Sequence, residues 1–171
     1  GTPLVSGTTG YCDEEAARVN ALGSYAPVAV SANFSIGVAV LKHLAAEAAA
    51  LLPDFDIEII ETHHRMKKDA PSGTAKLLLS AVNPDGTHPT VFGREGFAPR
   101  TADEIGVHAV RGGTVAGVHT VSFFGDEEEL SLTHRAESRR IFAIGALKTA
   151  EKLKDAPVGL HTLDELLFAR R

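Results

Sequence analysis

The stretch Ile57-Glu58-Ile59-Ile60-Glu61-Thr62-His63-His64-Arg65-Met66-Lys67-Lys68-Asp69-Ala70-Pro71-Ser72-Gly73-Thr74-Ala75 decides most of what this sequence says about its fold. Ile57, Ile59 and Ile60 read as a buried strand, because isoleucine packs well on a pleated, half-buried surface. The strand runs into two His, one Arg and two Lys within the six residues His63 to Lys68. A polar loop reaches Ser72, and a short helix is expected from about Thr74 to Val82, with small residues in its first turn.

This order of elements makes a site for an anion, a carboxylate being the natural choice. Lys and Arg supply charge-assisted donors. The free backbone N–H groups around Gly73 and Thr74 add donors and partial positive charge. Gly73 lets a ligand approach the backbone, and the Thr74 hydroxyl adds a bond. His63 or Lys67 can deliver a proton. The plain alternative is a solvated basic loop with two histidines adjacent by chance. Metal ligation is not expected: in an extended chain His63 and His64 point to opposite faces, and the one cysteine, Cys12, is distant in sequence.

Toward the amino terminus, Leu4 to Ser6 read as a short strand followed by the tight Gly7-Thr8-Thr9-Gly10. Asp13 is the expected cap of a helix to about Leu22, with Glu14 and Glu15 in its first turn. Pro27 to Ser31 form a second strand, and Asn33 or Ser35 opens a long helix that Pro53 stops. Strand and helix alternate over short connections, which is the rhythm of an open α/β sheet. Toward the carboxy terminus, residues 83–104 are rich in Pro, Gly and charge and read as a long loop. Strands are expected at Val107–Val110, Val118–Phe124 and Glu129–His134. A helix follows from Glu137 or Ser138 to about Leu153, and a last turn or two at Leu163–Phe168. The carboxy-terminal part is therefore α+β, with roughly four strands and helices on one face.

Of the 171 residues, 44% are hydrophobic and 23% charged, an ordinary globular composition. A net charge of −5 argues against a general nucleic-acid binder. One cysteine allows no internal disulfide and fits a reducing compartment. No apolar run reaches the roughly 20 residues that cross a bilayer, so no membrane association is expected. The chain opens on Gly1-Thr2-Pro3 without an initiator Met, which reads as a cut through a longer protein.

The segment Glu61 to Ala75 resembles the signature of the dihydrodipicolinate reductases of the diaminopimelate and lysine pathway. Val5-Ser6-Gly7-Thr8-Thr9-Gly10-Tyr11 and Ser31-Ala32-Asn33-Phe34-Ser35-Ile36-Gly37-Val38 resemble that family's two cofactor-side turns. Glu104-Ile105-Gly106-Val107, Arg111-Gly112-Gly113, Gly117-Val118-His119-Thr120-Val121 and Thr133-His134-Arg135-Ala136 follow in the family's order and at about its spacing. The resemblance implies reduction of 4-hydroxy-tetrahydrodipicolinate to tetrahydrodipicolinate with NADPH or NADH. It places the acid/base role on His63 and the proton donor on Lys67. It puts substrate contacts on His64, Gly73 and Thr74, and cofactor contacts on Gly7, Thr8, Thr9, Ser31, Ala32, Asn33 and Phe34. It further implies a cytoplasmic homotetramer whose carboxy-terminal sheets pair between subunits. The α/β part then reads as the remnant of a dinucleotide-binding Rossmann domain over residues 1–34. Residues 35–150 read as a substrate-binding and tetramerisation domain, and 151–171 as a segment returning to the nucleotide-binding side.

Two departures stand out. The Gly-rich strand-turn-helix that holds the pyrophosphate has no counterpart here, so the chain alone is expected to bind NAD(P)H weakly or not at all. Met66 stands where many relatives carry His. His119 and His134 fall in strand candidates and read as structural. The main alternative is a substrate-binding and oligomerising fragment without redox activity. A generic anion- or nucleic-acid-binding module is the more distant one.

Overall fold

The computed structural model describes residues 1–168, which form two compact units, one of residues 1–39 with 139 onward and one of Val40–Ser138. The last residues of the expected segment 151–171 lie outside the described residues. The boundary between the units falls within one helix, after Ala39.

The first unit holds a parallel three-stranded sheet of β1 (Leu4–Ser6), β2 (Pro27–Val30) and β8 (Gly159–Leu160), in the order β1-β2-β8. The two-residue β8 was not expected: a run that short carries no alternation to read. Helix α1 (Asp13–Ala21) starts one residue earlier than the expected cap allows, with Cys12 at the N-cap. The Cys12 amide donates to the Glu15 carboxylate at 3.0 Å, so an acceptor three residues on does the capping that Asp13 was expected to do. Helix α4 (Arg140–Leu153) begins after the expected Glu137 or Ser138 and carries no side-chain cap. A side-chain carbon on Gly145 would sit 1.7 Å from the Phe34 carbonyl oxygen, so only glycine lets α4 lie against that backbone. Helix α5 (Leu163–Phe168) is capped reciprocally by Thr162 and Glu165. Phe34, Ala39 and Leu163 form this unit's buried cluster.

The second unit is a mixed five-stranded sheet in the order β4-β5-β3-β6-β7. Its strands are β3 (Asp56–His63), β4 (Thr90–Phe92), β5 (Ile105–Arg111), β6 (Gly117–Gly125) and β7 (Glu128–Ala136). The extra strand is β4, hidden in the expected long loop because three residues amid Pro and Gly show no period; pairing with β5 makes it a strand. Register aligns Ile59 with Val107 and Val121, and Ile57 with Ile105 and Phe123. This one face is covered by α2 (Ile36–Leu51) through Leu41, Ala45 and Ala48, and by α3 (Gly73–Val82) through Ala75, Leu78 and Val82. Each fully buried Leu, Ile, Val or Phe side chain there contributes roughly 1.5–3 kcal/mol. Because β3 stays extended through His63, alternation carries Glu61 and His63 onto the same face as Ile59, beyond the end of the apolar layer.

Candidate functional site

Glu61 is completely buried, and its carboxylate gathers three elements. Arg111, at the end of β5, donates through both terminal nitrogens, Nη1 to Oε2 and Nη2 to Oε1, each at 2.8 Å. The Ser72 amide, just before α3, donates to Oε1 at 3.0 Å. His63 Nδ1 lies 2.5 Å from Oε2. Burial pushes the Glu61 carboxyl up, but the donors from Arg111, His63 and Ser72 outweigh it and hold it below the usual carboxylate range. The Glu61 carboxylate in turn holds the Arg111 guanidinium above its ordinary value. Arg111 also donates to the Asp69 carbonyl at 2.6 Å, which ties the cationic loop to the sheet.

The loop itself is fastened by backbone. His64 N–H donates to the Val115 carbonyl at 2.8 Å, Arg65 N–H to that of Gly113 at 3.2 Å, and Gly112 N–H to that of His63 at 2.9 Å. Gly112-Gly113 thus serves as the partner of this loop. Lys67 Nζ meets Asp69 at 2.8 Å, and that contact lowers the Asp69 carboxyl. Ser72 caps α3, its hydroxyl accepting from the Ala75 amide at 3.2 Å. The same hydroxyl lies 3.1 Å from His119 Nε2. His119 stacks edge-on against His63 with ring centroids 5.0 Å apart. Burial, with the neighbouring His63 adding to it, pushes His119 down to about 4, so it is neutral at physiological pH.

Of the residues expected from sequence, His63, Lys67, Gly73 and Thr74 all belong to this one assembly of strand end, loop and helix start. His64 is half-buried on the loop. Space beside Gly73 is open, with no atom within 4 Å of where a side-chain carbon would stand. What sequence reasoning missed is the scaffold: Glu61 as its centre, Arg111 as its clamp, Ser72 as a cap tied to His119. The period-two spacing of Glu61 and His63 was the available signal. Glu58, an odd number of residues away, faces the other side of the sheet. There it meets His108 at 2.7 Å and pairs with Arg94 and Arg100, pinning the loop between β4 and β5. His108 had no expected role.

In the first unit, the loops holding Gly7, Thr8 and Thr9 and holding Ser31, Ala32, Asn33 and Phe34 follow the adjacent parallel strands β1 and β2. They meet: Ser31 N–H donates to the Ser6 carbonyl at 3.1 Å, and a carbon on Gly7 would stand 3.6 Å from the Phe34 ring. Ser31, Asn33 and Ser35 are linked by local turns, and Ser35 caps α2 through the Val38 amide at 3.3 Å. Phe34 is buried, and its ring belongs to the core cluster of the first unit.

Together these features define a class: an α/β protein with a histidine-bearing site built around a buried carboxylate on a mixed sheet, and a neutral loop pair at the carboxyl ends of parallel strands. The chain is similar to known proteins over nearly its whole length. Residues 37–167 match the family model described as dihydrodipicolinate reductase, C-terminus. It is 46% identical to the 4-hydroxy-tetrahydrodipicolinate reductase of Methanocorpusculum labreanum, over 98% of this chain and 66% of that protein. It is 48% identical to that of Aquifex aeolicus, over 96% of this chain and 63% of that one. The dipicolinate-bound dihydrodipicolinate reductase from Paenisporosarcina sp. TG-14 superimposes with a TM-score of 0.76 at 28% identity, over 97% of this chain and 64% of that chain. The chain belongs to the dihydrodipicolinate reductase family, and it spans about two thirds of the length of these relatives.

Proposed function

We propose that the chain is the substrate-binding and assembling part of an enzyme that reduces 4-hydroxy-tetrahydrodipicolinate to tetrahydrodipicolinate with NADPH or NADH. The observation that carries this reading is the Glu61 hub, which draws the histidine strand end, the cationic loop and the capped start of α3 into one assembly. A planar dicarboxylate suits these donors: Lys67 and Arg65 bring positive charge, and the Gly73–Thr74 amides bring oriented N–H groups.

Bound nicotinamide supplies a hydride. The loops at Gly7–Thr9 and Ser31–Phe34 carry no cation, so they fit the uncharged ring and amide of that group better than its phosphates. Their place at the carboxyl ends of parallel strands is where open α/β sheets take ligands. Loss of the 4-hydroxyl as water leaves a conjugated unsaturated ring; as hydride reaches one end of that system, negative charge builds at the other. Lys67 offsets that charge and gives a proton, and His63 serves as the acid/base group beside it. The division into residues 1–34, 35–150 and 151–171 and a cytoplasmic homotetramer complete the proposal; no helix among the described residues is long and apolar enough to cross a membrane.

Isothermal titration with dipicolinate tests it. Saturable binding that weakens on Lys67→Ala is expected; a folded chain with no affinity for dipicolinate sinks the reading. Fluorescence titration with NADPH separates the enzyme from a redox-silent fragment, since only the former shows micromolar binding.

A further inference from the structure

We infer that Glu61 is the positioning residue of His63, holding its ring in the Nδ1–H tautomer so that Nε2 is the nitrogen left to exchange a proton. An ionised carboxylate only accepts, so the Nδ1 that lies 2.5 Å from Glu61 Oε2 must carry the hydrogen. A neutral imidazole then has its lone pair on Nε2.

The carboxylate is itself fixed. Its two oxygens offer about four acceptor directions, and four donors fill them two by two. Oε1 takes Arg111 Nη2 and the Ser72 amide; Oε2 takes Arg111 Nη1 and His63 Nδ1. Rotation of the Glu61 carboxyl would break a bidentate pair in a fully buried place, so the acceptor aimed at His63 stays put. The ring's other sides are bounded too. His119 packs edge-on against it, and Gly117 leaves the Nε2 edge clear: a side-chain carbon there would stand 3.1 Å from Nε2.

Among the charged groups near His63, Glu61 on its own strand pairs with Arg111 on β5 and Lys67 pairs with Asp69 on the loop, which also carries Arg65 and Lys68, while His119 on β6 is neutral at physiological pH. Glu61 offsets Arg111, and Asp69 offsets Lys67. Fixing the ring is what this geometry assigns to Glu61, alongside the direct charge interaction between the two groups.

The inference rests on the acid/base reading of His63, and its test separates the two. Long-range proton–nitrogen correlation spectra of the 15N-labelled full chain at alkaline pH report each imidazole tautomer; the His63 signal is the one lost in His63→Asn. An Nδ1–H pattern is expected for the wild type, and an Nε2–H pattern or an even mixture overturns the assignment without any variant. In Glu61→Gln the pattern should become mixed, because an amide cannot accept from four donors; an unchanged tautomer in a folded variant also overturns it. In the reductase carrying this chain, Glu61→Gln should lower kcat by about 10–100-fold with KM within about threefold, and unchanged kcat counts against it. Dipicolinate binding is the separate arm: its absence from the wild type defeats the functional reading and the catalytic half of this inference, whatever the tautomer.

Discussion

The segment from Val30 to Ile36 and the segment from His63 to Gly73 do the same topological job, carrying the chain from the end of a strand into a helix capped by serine. They are built from different materials. The first is short and neutral, and local turns run through it: Ser31 and Asn33 hold the loop, Ser35 holds the helix, and the Ser31 amide reaches the Ser6 carbonyl of the neighbouring loop. The second is longer and cationic, and it is held by distant partners, Arg111 on β5 and the backbone around Gly113 and Val115. A loop that folds on local bonds can present backbone to an uncharged ligand. A loop of like charges repels itself and needs a scaffold, and here the scaffold is one buried carboxylate.

The sharpest way to break this contrast is to remove the chemistry from the second segment. His63→Ala and Lys67→Ala, made in an intact enzyme, should each cut kcat by roughly 10²–10⁴-fold, the scale of positioned proton transfer. Near-normal turnover in both, followed by NADPH absorbance, would contradict the proposed roles.

The next effects are on stability. Arg111→Met leaves the Glu61 carboxylate buried without its guanidinium, and should cost about 3 kcal/mol in urea unfolding. A change below about 0.5 kcal/mol would show that the hub does not hold the second unit together. Acid should act on the same place. His119 titrates at about 4 in the fold against 6.5 for an ordinary histidine, so between these values the unfolded chain binds more protons and stability falls as pH drops. The loss from His119 is complete near pH 4 and amounts to about 3 kcal/mol. Glu61, held low, contributes stability above the ordinary carboxylate range and loses it as pH falls further. His119→Gln should flatten the arm between pH 6.5 and 4; an unaltered slope would place the acid sensitivity elsewhere.

The smallest expected effect compares the two caps directly. Ser35→Ala should cost about 1 kcal/mol, the usual worth of an N-cap. Ser72→Ala should cost more, because it also strips His119 Nε2 of its partner. Equal losses in thermal melts would mean that the Ser72–His119 contact is energetically idle.

Much of this was legible in the residues alone. The isoleucines marked β3, and small residues after a polar loop marked the start of α3. The density of His, Arg and Lys marked the loop, because like charges crowded at a strand end need a reason. These are local signals, and local propensity carries them. Cys12 standing in for Asp13 as the cap shows the limit even there, since the capping bond comes from Glu15 rather than from the residue that looked like a cap.

What only the tertiary structure decided is how residues far apart in sequence share one carboxylate. Glu61 and Arg111 are 50 positions apart, and Ser72 and His119 are 47 apart, so neither pair leaves a periodic trace. Strands β4 and β8 are too short to bear a pattern and exist because a neighbour pairs with them. The sequence by itself determined the element types and the chemistry available, because those depend on side chains and near neighbours. The register of β3 against β5 and β6 decided which of those groups meet, because alternation puts Glu61, His63, Arg111 and His119 on one face only once the strands are aligned.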